Sequence, residues 1–335
     1  MRSTTKIVLA DRFFMTQSAM KLLENVGAVV WAPEKTEKKL MIKVQGATVI
    51  AAEYNQISAS IMDAAKGTLK GIMGYGVGCN HIDVAAATER GIYVANCKGS
   101  NVEAVAELAI ALMLNISRGV HVGDHFIREG RWRSGQNGKL PRVLKGEELV
   151  RKTLGLVGMG EIGRKVARIA KGFEMRILAF DPYLAPETIR QVGAEPADLS
   201  TLMRQADYAS VHVPLSAETK GLIGQKEIAL MKPTAYLINT SRGAVLDEGA
   251  LVTALQEKKI AGAGLIVFTV EPPPVRSPLL KLDNAVVTPH IGGITEEAIA
   301  EMSRMTAEEC VRITRGEVPL NLVNRKELAA KGIHV

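Results

Sequence analysis

The chain has 335 residues, 47% of them hydrophobic and only 4% aromatic, with a formal net charge of +7 and a sequence pI near 9.2. That length points to two domains rather than one core. No apolar run is long enough to span a bilayer. The opening Met1-Arg-Ser-Thr-Thr-Lys lacks a small-residue cleavage site. Three distant cysteines (Cys79, Cys97, Cys310) without C-x-x-C spacing argue against disulfides and a cysteine metal site. A cytoplasmic protein with no metal and no membrane partner is expected. The positive charge raises the question of nucleic acid. It is dispersed, however, and no nucleic-acid signature is present. The densest basic stretch, Lys35, Lys38, Lys39 and Lys43, reads as a solvated helix face. A modest positive field suits a small anionic substrate and an anionic cofactor.

In chain order, Ile7–Ala10, Val29–Trp31, Ala47–Ala51 and Gly71–Met73 are short, continuously apolar runs of the kind found in buried parallel sheets. Ser18–Val26 and Ile57–Ala65 carry helical spacing between them. Gly74-Tyr-Gly-Val-Gly78 reads either as a plain turn or as a loop whose amides hold an anion. Val102–Ile116 predicts a long helix with Asn101 as its N-cap. Residues 118–150 are polar and basic, with Gly130, Trp132, Gly135, Gly138 and Pro141, and predict an extended excursion suited to a subunit contact. His121 and His125 have the i, i+4 spacing of a metal pair but no third ligand, so a solvated helix face is the expectation.

The next stretch is the most informative. Leu154–Val157 is an apolar run ending in G-x-G-x-x-G (Gly158, Gly160, Gly163), followed by amphipathic Ile162–Phe173 and a second apolar run, Met175–Phe180. Strand, glycine turn and helix present bare amides and a helix dipole to a pyrophosphate. Asp181 ends the second run, 23 residues after Gly158, where a carboxylate meets ribose hydroxyls. Pro182 and Tyr183 follow, with no cation for a 2′-phosphate, so NAD is expected rather than NADP. Further strands (Tyr208–Val213, Ala235–Asn239, Ala261–Val267, Ala285–Thr288) alternate with helices (Glu187–Val192, one capped by Asp198 or Ser200, and Asp247–Glu257). Glu296–Thr314 is a final long helix before a polar tail. This alternation predicts an α/β protein with doubly wound parallel sheets.

Ligands of such sheets lie at the carboxyl ends of the strands. Arg242, Glu271 and His290 fall at three of those ends. Individually they read as a loop charge, a solvated turn and a packed histidine. Together they supply a cation for a carboxylate, an acid and a proton donor, as alcohol–ketone interconversion requires.

Ile238-Asn-Thr-Ser-Arg-Gly243, Val267-Phe-Thr-Val-Glu-Pro272, Pro289-His-Ile-Gly-Gly293, Tyr75-Gly-Val-Gly-Cys-Asn-His-Ile-Asp83 and the nucleotide loop resemble the D-isomer-specific 2-hydroxyacid dehydrogenases, in the phosphoglycerate dehydrogenase-like branch. The resemblance implies two Rossmann-like domains. Residues 1–100 and 295–335 would form a substrate-binding domain, with an NAD-binding domain, 101–294, inserted into it. It implies an NAD-dependent oxidoreductase interconverting a small D-2-hydroxy acid and its 2-oxo acid, and a homodimer. By the same resemblance His290 is the acid/base, Glu271 the carboxylate that bonds the imidazole, and Arg242 the group on substrate carboxylate and ketone oxygen. Val77, Gly78 and Asn101 join Arg242 as substrate-binding. The cofactor set is Gly158, Gly160, Glu161, Ile162, Gly163, Asp181, Val213, Pro214, Thr219, Thr240 and Ile266. Tyr75, Cys79, Asn80 and the region near Trp132 are candidates for shaping the substrate pocket. Two positions depart from the family pattern. Glu161 stands where the family often has Arg. Ile266 stands where it has an Asp that accepts from the nicotinamide carboxamide. Formate dehydrogenase shares the fold but resembles this chain with Gln at the Glu271 position. A non-catalytic, corepressor-like NAD(H) sensor of the same fold is the alternative of a different class.

Overall fold

The computed structural model describes residues 5–132 and 144–335. The chain divides into two compact units, Met1–Asn101 with Gly293–Val335, and Val102–Gly292.

In the first unit β1 (Lys6–Leu9), β2 (Ala28–Trp31), β3 (Val49–Ala52), β4 (Gly71–Gly74) and β5 (Tyr93–Ala95) form a parallel sheet ordered β2-β1-β3-β4-β5. Every residue of β3 and β4 is buried, which is why these strands are unbroken apolar runs rather than alternating ones. Helices α1 (Gln17–Glu24), α2 (Glu37–Lys43), α3 (Ala59–Ala64) and α4 (Val84–Glu89) lie between the strands. Thr16, Ser58 and Asp83 cap α1, α3 and α4 by accepting from Ala19, Ile61 and Ala86 N–H. Two short elements, α4 and β5, go beyond the sequence reading.

The second unit begins with α5 (Val102–Arg118) and α6 (Val120–Arg128). It continues β6 (Thr153–Val157), α7 (Glu161–Lys171), β7 (Arg176–Phe180), α8 (Pro186–Gln191), β8 (Glu195–Pro196), α9 (Leu199–Gln205), β9 (Tyr208–Val211), α10 (Gln225–Ile228), β10 (Tyr236–Asn239), α11 (Glu248–Gln256), β11 (Gly262–Leu265) and β12 (Ala285–Val287). The sheet order is β12-β11-β10-β9-β6-β7-β8. The chain moves outward from β6 to β8, then crosses to β9 on the other side of β6. The ends of β6 and β9 are therefore the switch point where loops diverge. Two apolar clusters fill this unit, one including Ala109, Met113, Val166 and Ile238, the other including Leu202, Met203, Leu251 and Leu255.

The stretch 118–150 is not simply an extended excursion. Its first part is the helix α6, which buries Phe126. Residues 133–143, with Gly135, Gly138 and Pro141, lie outside the described residues. His121 is anchored as well as surface-placed: its Nδ1 lies 3.0 Å from Asn115 Oδ1 and its Nε2 3.1 Å from the Asp283 carbonyl. His125 pairs with Glu129 at 2.7 Å.

The chain returns to the first unit with α12 (Glu296–Arg315) and α13 (Arg325–Ala330). Glu309, 2% exposed, accepts from the Leu320 and Asn321 amides at 3.0 and 2.9 Å. Buried Asn324 accepts from Val94 N–H at 3.0 Å and donates to the Ile92 carbonyl at 3.0 Å. These bonds fasten the tail to β5 and satisfy polar groups that would be costly to bury alone. No single helix among the described residues is long and apolar enough to cross a membrane.

One contact tests how the nucleotide loop is built. Alanine is the better helix residue by about 1 kcal/mol, yet a Cβ on Gly163 would stand 2.2 Å from the Gly158 carbonyl oxygen. That obstacle is main chain and cannot rotate away. Gly163→Ala should therefore lower stability by roughly 1–3 kcal/mol, read as a lower urea midpoint. An unchanged midpoint would mean that α7 shifts along the sheet freely.

Candidate active site

The glycine loop joins β6 to α7. Gly158 adopts a left-handed φ of 99°, and its N–H donates to the Phe180 carbonyl at 2.8 Å. A Cβ on Gly160 would meet nothing within 4 Å. Gly160 is the N-cap of α7, and no side chain caps the helix. The first-turn amides are thus presented, with the positive end of the helix dipole, to the space beside Gly160. Arg164 Nε donates to the Met159 carbonyl at 3.0 Å. Asp181 grips the same loop: Oδ2 accepts from Met159 N–H at 2.9 Å and Oδ1 from Tyr183 N–H at 3.0 Å.

Across the switch point, Val213 lies beside Gly158. Thr219 organises the next turn, its hydroxyl donating to the Pro214 carbonyl at 2.6 Å and accepting from Ser216 N–H at 2.8 Å. Sequence reasoning passed over His212. Its Nε2 is 2.9 Å from Ser210 Oγ, its Nδ1 is buried without a partner, and burial pulls its pKa down to about 4. This ring is neutral near pH 7 and adds no charge to the loop ends.

Arg242, Glu271 and His290 follow the adjacent, register-matched strands β10, β11 and β12. Buried Asn239 shapes the first of these loops. It donates to the Arg242 carbonyl at 3.0 Å and accepts from Ser241 N–H at 3.0 Å. Gly243 then lets the turn press on the next strand end, where a Cβ would come within 1.9 Å of the Phe268 carbonyl carbon. Arg242 Nη1 donates to the Ser241 carbonyl at 2.7 Å. Glu271 Oε2 lies 2.9 Å from His290 Nδ1, and Oε1 accepts from Phe268 N–H at 3.0 Å. With the carboxylate on Nδ1, the imidazole presents Nε2 for proton exchange. Burial works to raise the Glu271 pKa. Bonds from His290 and Phe268 N–H, with the charges of His290 and Arg242, outweigh it and hold the carboxyl below its ordinary 4.5.

The remaining sequence candidates divide. Thr240 is 6% exposed, at the end of β10, and its hydroxyl has no partner. Ile266 is 1% exposed, packed in the apolar cluster with its Cδ1 facing Gly292. Glu161 is exposed at the start of α7 and Ile162 half-buried beside it. In the first unit, Val77 and Gly78 lie in the loop after β4. The carbonyls of Gly76 and Val77 are tied to Cys97 N–H (2.8 Å) and Asn96 Nδ2 (2.7 Å). Tyr75 is 4% exposed and stacked on Phe13, with ring centroids 4.3 Å apart. Asn101 does not cap α5 with its side chain: its Oδ1 is buried and bonds nothing.

Residues 110–292 match the family described as D-isomer specific 2-hydroxyacid dehydrogenase, NAD binding domain. The chain is 41% identical to a glyoxylate reductase of Thermococcus litoralis over 94% of its own length and 96% of that protein's. The chain belongs to the D-isomer-specific 2-hydroxyacid dehydrogenase family. Among solved structures, a glyoxylate reductase from Paecilomyes thermophila is similar at 31% identity and a TM-score of 0.86, covering 96% of this chain and 99% of that one. The D-lactate dehydrogenase of Aquifex aeolicus, complexed with NAD and lactic acid, is similar at 26% identity and a TM-score of 0.84, covering 95% and 99%. This family member is an NAD-dependent oxidoreductase acting between 2-hydroxy and 2-oxo acids. Its residues fit the cofactor: an uncapped helix start, an open glycine at position 160, and the orphaned, buried Thr240 hydroxyl.

Glu271→Ala should cost roughly 1 kcal/mol at neutral pH, discounted because the side chain is 33% exposed. A folded pKa below the unfolded one stabilises the fold above the unfolded value and stops doing so as pH falls through the folded value. The wild-type advantage in urea midpoint should therefore shrink in strong acid. A gap independent of pH would contradict this carboxylate's role.

Proposed function

We propose that this dehydrogenase reduces a small 2-oxo acid, glyoxylate foremost, with His290, Glu271 and Arg242 as its chemical residues. The single observation that carries the reading is the 2.9 Å contact between His290 Nδ1 and Glu271 Oε2, beside the Arg242 turn. When bound, NADH supplies the hydride. In reduction the His290 imidazolium gives its proton to the carbonyl oxygen, and in oxidation the neutral ring takes the hydroxyl proton. Glu271 orients the ring through its contact with Nδ1. Arg242 holds the substrate carboxylate and ketone oxygen, which its planar fork suits.

In this reading 1–100 and 295–335 bind substrate and 101–294 bind NAD. Val77, Gly78 and Asn101 receive the carboxylate end. Gly158, Gly160, Glu161, Ile162 and Gly163 take the pyrophosphate, with Asp181 at the ribose and Val213, Pro214 and Thr219 toward adenine. Thr240 and Ile266 lie toward the nicotinamide. The same family resemblance supports a homodimer, and three cysteines that form no disulfide suit the cytoplasm.

NADH oxidation with a panel of 2-oxo acids tests the reading. Glyoxylate should be turned over, and His290→Ala should lower kcat by about 10²–10⁴-fold while the NADH Kd stays within about twofold. Measurable NADH binding without turnover of any acid would instead mark a nucleotide sensor.

The Ile266 side chain offers no acceptor to the nicotinamide carboxamide, which is left to a backbone or water partner, so the nicotinamide end is held less firmly than an aspartate would hold it. Ile266→Asp should tighten NADH by several-fold, about 1 kcal/mol, while lowering thermal stability because a carboxylate replaces a core side chain. Equal Kd values in the two proteins would defeat this account.

A further inference from the structure

β4 and β5 run side by side in the first unit, and their last register pair is Met73 with Ala95. The loop after β4 and the segment after β5 therefore leave the sheet together. Gly76 turns the loop off the strand with a left-handed φ of 122°. The segment after β5 then grips it twice. Cys97 N–H donates to the Gly76 carbonyl at 2.8 Å, and Asn96 Nδ2 donates to the Val77 carbonyl at 2.7 Å. A carbonyl only accepts, so the nitrogen end of the Asn96 amide must face it.

These two bonds do more than hold the loop. A trans peptide is planar, and its C=O and N–H point in opposite directions. The Gly76 carbonyl shares a peptide unit with Val77 N–H, and the Val77 carbonyl shares one with Gly78 N–H. Drawing both carbonyls toward residues 96 and 97 turns both N–H groups the other way. Among the described residues, the Val77 and Gly78 amides donate to no backbone carbonyl. Successive N–H groups aimed to one side are the arrangement that takes an anion. Cys97 acts through main chain, so Asn96 is the clamp that a side chain supplies. It is itself braced by the C-terminal tail. Its N–H donates to the Asn321 carbonyl at 3.3 Å, and Ala95 bridges to Leu322. Buried Glu309 accepts from Asn321 N–H at 2.9 Å and from its Nδ2 at 3.2 Å.

We propose that Asn96 is a positioning residue for the oxo-acid carboxylate: by fixing the Val77 carbonyl, its side-chain amide aims Gly78 N–H at the bound acid. The proposal rests on the reading that Val77 and Gly78 receive that carboxylate. Asn96 acts through the loop and not on the acid itself. An N–H already oriented needs no ordering when the acid arrives, which is where preorganisation gains affinity. Without the clamp the 77–78 peptide is free to rotate, and the acid must order it on binding. The loss therefore falls on acid binding, while the cofactor and the proton-transfer groups are untouched.

The test uses the whole enzyme with NADH, glyoxylate as substrate and oxamate as inhibitor, a mimic that keeps the carboxylate but has no reducible carbonyl. Asn96→Leu keeps the branched shape and removes the donor. In it the KM for glyoxylate and the Ki of oxamate should each rise about tenfold, while kcat and the NADH Kd stay within about threefold. Asn96→Ala should show the same split and serves if the leucine variant does not fold. KM and Ki within about twofold of the wild type in either folded variant would overturn the proposal. So would an equal loss in kcat and NADH binding, which marks a general structural role. In the wild type, oxamate should shift the Val77 and Gly78 amide resonances. If they shift and the variants keep their KM, this proposal alone fails. If those resonances ignore bound oxamate, the reading of the loop fails and the proposal with it.

Discussion

With room for no atom between them, the Gly163 Cα and the Gly158 carbonyl set the position of α7 against β6. Any side chain at 163 would push the helix away from the strand end. At this distance the first-turn amides of α7 open directly beyond the glycine turn, where Gly160 leaves space. The clamp from Asp181 to the Met159 amide and the bond from Arg164 to the Met159 carbonyl depend on the same placement. The helix field and the loop hydrogen bonds therefore follow from one missing methyl group.

A second close approach assembles the chemical end. Gly243 lies against the main chain of Phe268, and Asn239 ties the turn before it through both ends of its amide. The Phe268 amide in turn orients Glu271, whose other oxygen meets His290. Three separate loops are thus linked by main-chain contacts and short polar bonds. Register-matched parallel strands make this possible, because they end at a common edge and deliver their loops to the same side.

How much of this a sequence reveals depends on how locally it is encoded. β6, α7 and β7 were legible because a buried strand, a glycine turn and an amphipathic helix each leave their own pattern. The placement of Arg242, Glu271 and His290 after strands followed from the alternation of elements. α4 and β5 escaped because six and three residues are too few for periodicity to show. α6 was hidden in polar composition, although Phe126 anchors it. Asn101 looked like a cap from its place before α5, but side-chain direction is not written in residue type. The Asn239 clamp and the Phe268 amide are likewise properties of folded main chain. The stacking of Tyr75 on Phe13 is also a tertiary contact that residue type does not announce.

Asp181 has a consequence for anyone wishing to redesign cofactor choice. Replacing an acid at the end of the second nucleotide strand is the obvious way to make room for a 2′-phosphate. Here that carboxylate also holds the Met159 amide within the glycine turn and the Tyr183 amide beyond it. A substitution chosen only for charge would release both, loosening the turn meant to receive the new dinucleotide. Selectivity and scaffold are coupled through one side chain, so a successful exchange would have to supply a replacement acceptor for Met159 along with the new cation.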